Sequence, residues 1–297
     1  MLHRLLIVFL SAFLTLSAAH AADDVVRFEH FNVPMKHGIF TVHLSTYLYL
    51  PPGNGPFPLV VINHGKSPGS MQPDATFKWQ ARVFLARGYA VLVPNREGLG
   101  KSTGGYRSTC DVTYLARTWA DSIQAAIDYV RQRPEIDSKK IVVFGQSQGG
   151  ITSVALGERN LPGVLGIVNF AGGSRNESCG GWERGLVDTY KAYGADSTVP
   201  TIFFYGDNDG YWGDGTLSKQ FFAAYHAGNP NSAYVDEGMF AKGNSHYFFS
   251  PDGYYAWKKP LWQFFDQIGL PSAVIFDDAK AVKAAIEAKV FVSPIEQ

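Results

Sequence analysis

The most informative segment of the chain is Ile141-Val142-Val143-Phe144-Gly145-Gln146-Ser147-Gln148-Gly149-Gly150. Four apolar residues lead directly into a G-x-S-x-G pattern, and a segment of helical character follows it. Glycines two positions before and two after the serine permit a sharp strand-to-helix turn, because larger side chains there would collide with neighbouring backbone. The pattern therefore predicts Ser147 as a nucleophile held at the tip of the turn. The alternative is a glycine-rich turn whose serine only caps the following helix.

Short apolar runs recur on both sides of this segment. Their length is typical of strands buried on both faces, which indicates an α/β fold with a mostly parallel sheet of about eight strands. The runs cover residues 59–63, 89–94, 140–144, 164–170 and 201–205, and an alternating strand over 41–50 precedes them.

Segments of helical period separate these runs, as the crossovers of a parallel sheet require. The clearest covers residues 111–133, where apolar residues recur three or four positions apart and Pro134 ends the pattern. Weaker helical patterns cover residues 76–87, 149–157, 217–226 and 254–268. The stretch 172–197 has room for one or two helices, which predicts a small cap or none.

A serine hydroxyl needs a base to accept its proton and a carboxylate to orient that base. In folds built around this turn, the acid and then the histidine follow the serine along the chain. Asp207 and Asp209 both follow the run 201–205. We favour Asp209, because it lies farther past the strand, whereas Asp207 could cap the turn through its own backbone. His246 is the histidine in a loop after both acids and is the predicted base.

Ester cleavage also needs hydrogen-bond donors for the oxyanion, and backbone amides supply them without reorganisation. The first predicted donor is the backbone N–H of Gln148, directly after the nucleophile. The second is the backbone N–H of Lys66, in the loop after the run 59–63, where His64 is then a structural residue. Such chemistry requires no cofactor.

Charge and composition restrict the partners of the protein. The 26 Lys and Arg residues balance 26 Asp and Glu residues, so the basic surface that binds nucleic acid is not expected. Aromatic residues make up 14% of the chain. Tyr211 and Trp212, next to the candidate acids, are predicted to line a pocket for a small ester substrate, although aromatic residues near a motif are more often core.

Residues 1–21 have the pattern of a cleaved secretory signal peptide. A positive start precedes an apolar run over 5–16, which is too short to span a bilayer, and small residues follow at 19–21. An uncleaved anchor is the alternative. We therefore expect an exported protein, periplasmic or secreted, with one domain over 22–297 that ends in a helical tail over 271–297.

Cys110 and Cys179 are the two cysteines of the chain. An even count in an oxidising compartment favours one disulfide, and two separate buried thiols are the alternative. Their separation of 69 positions, without paired histidines nearby, matches no zinc-binding spacing.

The order of these motifs resembles an α/β-hydrolase over about residues 40 to 270. Within that fold, the chain is most similar to exported dienelactone hydrolase-like proteins. The motifs that carry this resemblance are His64-Gly65, Gly145-Gln146-Ser147-Gln148-Gly149-Gly150, Asn169-Phe170-Ala171-Gly172-Gly173, Tyr205-Gly206-Asp207-Asn208-Asp209-Gly210-Tyr211-Trp212 and His246. The segment Asn95-Arg96-Glu97-Gly98-Leu99-Gly100-Lys101-Ser102 is similar to the arginine-glycine loop of related esterases and peptidases.

The resemblance implies Asp209, the fourth residue of its Gly-x-x-Asp motif, as the acid. Dienelactone hydrolases proper use a cysteine nucleophile, whereas position 147 is serine. We therefore expect a serine esterase that works through an acyl-enzyme, rather than a dienelactone hydrolase in the strict sense. A peptidase or amidase of the same fold, and a binding protein that kept the fold without activity, are the alternative hypotheses.

Overall fold

The computed structural model describes residues 26–67 and 72–276. The strands are β1 (Arg27–His37), β2 (Phe40–Leu50), β3 (Phe57–Asn63), β4 (Ala90–Pro94), β5 (Ile136–Gln146), β6 (Val164–Phe170), β7 (Thr201–Tyr205) and β8 (Ser232–Asp236). The α-helices are α1 (Lys78–Leu85), α2 (Val112–Val130), α3 (Gln148–Gly157), α4 (Trp182–Asp196), α5 (Thr216–His226) and α6 (Tyr254–Gln267). A short 3-10 helix covers Ser245–Tyr247.

The strands form one 8-stranded sheet in the order β1-β2-β4-β3-β5-β6-β7-β8. β1 pairs antiparallel with β2, and β2 pairs antiparallel with β4. All pairs from β4 through β3, β5, β6 and β7 to β8 are parallel. The predicted mostly parallel sheet is therefore confirmed, and the carboxyl ends of its parallel strands share one edge, where such folds place their ligand sites.

The central strands agree best with the sequence patterns, because they are apolar on both faces. β6 and β7 have the predicted bounds, and every residue of β7 is buried. β1 was not predicted as a strand. Its position at the edge of the sheet leaves Val33 and Met35 as its buried residues, so it carries little of the apolar signal of a buried strand.

A cluster of stacked aromatic rings lies beside the loop that carries His246. The ring of Phe170, on β6, stacks on Phe204 of β7 at 4.6 Å and on Phe249 at 4.3 Å. The side chain of Gln80, on α1, donates a hydrogen bond of 2.8 Å to the carbonyl of Phe249. Because aromatic pairs contribute about 0.5–1.5 kcal/mol each beyond area burial, this packing anchors the segment that follows His246.

Glu237, directly after β8, makes stability depend on pH. Burial, reinforced by neighbouring Asp236, raises the pKa of its carboxyl from 4.5 to about 7. The folded state therefore keeps a proton that the unfolded state loses, and this group lowers stability as the pH rises from 4.5 to about 7. At about pH 8 we expect Glu237→Gln to add about 1 kcal/mol, which is less than the full shift because the carboxyl is partly solvated.

Thermal unfolding at about pH 8 and about pH 4 tests this expectation, since 1 kcal/mol corresponds to about 2–4 °C in a domain of this size. The gain should vanish at the lower pH, where the folded and unfolded states both hold the proton. Glu183→Gln, at an exposed position in α4, is the matched control. An equal gain at both pH values would contradict the titration of Glu237 as its cause.

The predicted signal peptide over 1–21 lies outside the described residues, as does the part of the predicted helical tail beyond residue 276. Within residues 26–67 and 72–276, no helix combines the length and hydropathy that a membrane span requires.

Candidate active site

Ser147 occupies a strained turn between β5 and α3. Its φ of 56° lies in the left-handed region, which side chains other than glycine adopt at a cost. A Cβ atom at Gly145 would collide with the carbonyl of Gly149, and one at Gly149 would collide with the carbonyl of Asn63. Both glycines are therefore required by close backbone approach, which is the reason the sequence pattern indicated.

His246 and Asp209 form a buried pair. The imidazole Nδ1 lies 3.0 and 3.1 Å from the two carboxylate oxygens of Asp209, and both residues are less than 5% exposed. Asp209 Oδ1 also accepts the backbone N–H groups of Tyr211 and Trp212, at 2.7 and 3.1 Å. A carboxylate held by these donors is itself an acceptor, which favours the His246 tautomer with a proton on Nδ1.

Asp207, the other candidate acid, faces a different group. Its Oδ1 lies 3.7 Å from the ammonium of Lys219, on α5. Its backbone N–H donates to the carbonyl of Gly238 at 2.7 Å. The structure thus brings Asp209 to His246 and places Asp207 in a loop contact beside β8.

Side-chain amides fix the backbone around His246. Asn244 Oδ1 accepts the N–H of His246 at 2.9 Å and the N–H of Gly210 at 2.8 Å, which joins the histidine loop to the acid loop. The Gln146 side chain donates to the carbonyl of His246 at 2.8 Å. The Tyr211 ring lies against the imidazole, with 4.3 Å between centroids. His246 is thereby tied to the residue just before Ser147.

Ser147 and His246 line one cavity of about 280 Å³. Tyr211 and Tyr247 are part of its wall. Among the described residues, the imidazole hydrogen-bonds to the Asp209 carboxylate and not to the Ser147 hydroxyl. Hydrogen bonds of this kind commonly tighten only in the complex with substrate, so the arrangement remains suited to proton transfer.

A second cavity, of about 360 Å³, also reaches Ser147 and contains both predicted oxyanion residues, Gln148 and Lys66. Gln148 is the first residue of α3, so its N–H has no acceptor within the helix. The loop of Lys66 approaches closely, since a Cβ atom on Gly65 would lie 3.2 Å from the Cβ of Ser147. The structure thus brings Gln148 and Lys66 to Ser147 from two different elements.

Both predicted pocket aromatics line this second cavity. Tyr211 borders the two cavities, and Trp212 borders the second while remaining 4% exposed. The Trp212 indole donates to the carbonyl of Ala171 at 2.8 Å, which fixes the ring in the wall.

The predicted disulfide is confirmed, with Cys110 and Cys179 bonded and their Cα atoms 5.5 Å apart. Cys110 follows Ser108 and Thr109, which line the second cavity from one side. Cys179 follows a segment over 174–176 that lines the same cavity. The bond therefore joins two walls of the cavity.

We expect the double variant Cys110→Ser/Cys179→Ser to lose about 2–4 kcal/mol of stability, because closing a long loop restricts the unfolded chain. We also expect KM to rise more than kcat falls, since the bond holds the cavity walls rather than the reacting groups. Urea unfolding and steady-state kinetics measure the two effects. Wild-type protein in reductant should behave like the variant; a variant as stable as the oxidised wild type would contradict the expectation.

Sequence reasoning assigned no role to two residues beside the site, Arg96 and Tyr106. Arg96 is fully buried and donates to the Gln148 side chain at 2.8 Å. The Gln148 amide in turn donates to the Tyr106 hydroxyl at 2.9 Å. The resemblance to an arginine-glycine loop pointed at this segment, but only the fold shows what the guanidinium contacts.

His64 has the structural role that the sequence indicated. Its Nε2 accepts the backbone N–H of Arg96 at 3.2 Å. Burial, together with the nearby Arg96 charge, holds the pKa of His64 well below its usual value, so the ring stays neutral and can accept.

In the part of the chain that the structure describes, no group of three His, Cys, Asp or Glu side chains could hold a metal ion.

Comparison with known proteins places these features in a family. Residues 38–232 match the X-Pro dipeptidyl-peptidase (S15 family) model. The quorum-quenching protein AidA of Acinetobacter baumannii is 31% identical over 134 residues, which are 44% of this chain and 42% of that protein. Dipeptidyl-peptidase 5 of Porphyromonas gingivalis is 25% identical over 113 residues, 37% of this chain and 16% of that protein. The matches thus span less than half the length of either relative.

Solved structures show the same fold at low identity. The esterase Pf2001 of Pyrococcus furiosus aligns with a TM-score of 0.57 and 17% identity, over 81% of this chain and 90% of its own. A puromycin-hydrolyzing peptidase of Mycobacterium tuberculosis aligns with a TM-score of 0.60 and 17% identity, over 82% of this chain and 40% of its own. A dienelactone hydrolase candidate from Klebsiella pneumoniae aligns with a TM-score of 0.54 and 13% identity, over 81% of this chain and 98% of its own.

These alignments confirm the predicted fold, and the family match covers more than half of the chain. The fold alignments and the family match both agree with the strained turn at Ser147, the eight-stranded sheet and the chain order of the candidate residues. The chain therefore has the α/β-hydrolase fold and belongs to the X-Pro dipeptidyl-peptidase (S15) family.

Proposed function

We propose that this protein is a serine hydrolase that cleaves carboxylic esters through an acyl-enzyme on Ser147. The observation that carries the proposal is the buried Asp209–His246 pair, whose imidazole lines the same cavity as Ser147. A carboxylate that fixes an imidazole in the same cavity as a strained, half-buried serine is the arrangement needed to activate a hydroxyl.

In the proposed reaction, His246 Nε2 accepts the Ser147 proton as the serine oxygen attacks the ester carbonyl. The resulting oxyanion is stabilised by the backbone N–H groups of Gln148 and Lys66. The imidazolium, stabilised by Asp209, then gives its proton to the leaving alcohol as the C–O bond breaks. Water, deprotonated by the same imidazole, releases the acid and restores the serine.

The two cavities suggest where each half of the ester binds. His246 must reach the leaving oxygen, so the alcohol occupies the cavity of about 280 Å³ that this imidazole lines. The acyl group then occupies the cavity of about 360 Å³, which contains Gln148 and Lys66. Both volumes favour small to medium esters, because they lie at the lower end of the range for ligand pockets or just below it.

The second candidate function is peptide cleavage by the same residues. The S15 family match favours it, as do the dipeptidyl-peptidase and peptidase relatives. An amide has a poorer leaving group than an ester, so it places a greater demand on the same residues and would be cleaved more slowly.

Matched substrates separate the two functions. We expect the wild type to hydrolyse p-nitrophenyl butyrate and to leave Ala-Pro-p-nitroanilide uncleaved. Cleavage of the dipeptide anilide with kcat/KM above about 10⁴ M⁻¹s⁻¹, lost when its amino terminus is acetylated, would establish the peptidase instead. Turnover of neither substrate, without labelling by a fluorophosphonate, would favour a binding protein that kept the fold.

We further propose that the protein is exported to the periplasm or secreted. The disulfide supports this, since such bonds persist in oxidising compartments. Cell fractionation, with mass spectrometry of the amino terminus, tests it. Full-length protein with free thiols in the cytoplasm would contradict it.

A further inference from the structure

Arg96, just after β4, contacts both elements that carry the proposed oxyanion donors. Its Nη1 donates to the carbonyl of His64 at 2.5 Å and to Asn63 Oδ1 at 2.6 Å. Its Nη2 donates to the side-chain oxygen of Gln148 at 2.8 Å. His64 lies two residues before Lys66, so one guanidinium bridges the loop after β3 and the start of α3.

This guanidinium is fully buried, and among the described residues no carboxylate forms an ion pair with it. Its Nε also has no hydrogen-bond partner in the structure. Burial lowers the pKa of Arg96 from its ordinary value to about 9. A buried cation without a counter-charge is unfavourable for folding, and a well-packed apolar side chain would serve stability better. Stability alone therefore does not explain the arginine.

We propose that Arg96 is a positioning residue for the oxyanion site, which sets the spacing between the Lys66 and Gln148 amides. The two amides belong to separate segments of the chain, and donors for an oxyanion must be held in place before the charge develops. The planar guanidinium reaches both segments at once, and its positive charge favours negative charge nearby. This inference rests on the proposed hydrolytic function.

The contact continues from Gln148 to the cavity wall. The Gln148 amide donates to Tyr106, and the Lys66 ammonium lies 5.0 Å from the centre of the Tyr106 ring. Arg96, Gln148, Tyr106 and Lys66 thus form one connected group around the proposed oxyanion position. Removing the Arg96 contacts should affect transition-state stabilisation more than substrate binding, because the oxyanion exists only in the transition state and the tetrahedral intermediate.

The test compares Arg96→Lys, Arg96→Met and Gln148→Met in steady-state hydrolysis of p-nitrophenyl butyrate, with circular dichroism to verify folding. We expect Arg96→Met to lower kcat about 10²–10³-fold with little change in KM, as loss of an oxyanion donor does. Arg96→Lys keeps the charge, but a lysine cannot contact the His64 carbonyl and the Gln148 side chain at the same time with a planar group. It should lower kcat about tenfold. Gln148→Met keeps the backbone N–H of residue 148 but removes the hydrogen bond from Arg96 Nη2 to the side chain. It should also lower kcat about tenfold.

Arg159→Met is the matched control, because Arg159 donates to Gln124 and Asp121 away from the site. It should lose stability without losing kcat. If Arg96→Met does not fold, Arg96→Lys and Gln148→Met still decide the matter. Folded variants with wild-type kcat, or with a lowered melting temperature alone, would overturn the inference. A wild type without ester turnover would instead overturn the proposed function.

Discussion

Ser147→Ala is expected to lower kcat for p-nitrophenyl ester hydrolysis by about 10⁴–10⁶-fold. The serine oxygen is the atom that bonds to the acyl group, so no neighbouring side chain can replace it. Alanine fits the same strained turn, and the fold and melting temperature should be unchanged. The reaction that remains should come from the oxyanion donors and binding alone.

Ser138→Ala is the matched control, because Ser138 lies near the start of β5, at the opposite end of that strand from Ser147. It should keep kcat within about threefold, as a residue outside the site does. Fluorophosphonate labelling should disappear in Ser147→Ala and persist in Ser138→Ala. Labelling or full activity in Ser147→Ala would place the nucleophile elsewhere.

Asp209→Asn should lower kcat by about 10⁴-fold at neutral pH. The asparagine amide would present a donor or a weaker acceptor to Nδ1, so the imidazole loses both its correct tautomer and the charge that stabilises its protonated form. Because the Oδ1 contacts to the Tyr211 and Trp212 amides are kept, the loop should hold its shape. Kinetics and thermal unfolding of the purified variant measure the two effects separately.

Asp207→Asn offers the comparison that separates catalysis from loop structure. Asp207 lies two residues away on the same loop but contacts Lys219, so its variant should keep kcat within about threefold. If the two variants lose activity equally, the loop and not the acid would be responsible. If Asp207→Asn alone is inactive, the assignment of Asp209 is wrong.

Much of the site was predictable because its turn and its flanking strands are set by residues that are neighbours in sequence. The turn around Ser147 needs small residues at 145 and 149 for a steric reason that is visible in five consecutive residues. Strands buried on both faces, such as β6 and β7, appear in sequence as unbroken apolar runs. β1 was missed because an edge strand buries few of its side chains, so its pattern is weak.

The sheet class, the turn at Ser147 and the set of candidate partner residues were predictable from sequence, since each depends on short-range sterics and hydrophobic pattern. Only the folded chain shows that Asp209 reaches His246 while Asp207 reaches Lys219. It alone also revealed the contacts of Arg96 with His64 and Gln148, which are 32 and 52 positions away in sequence. Such contacts join the ends of different strands, and the order and register of the sheet, which no local pattern specifies, set which ends meet.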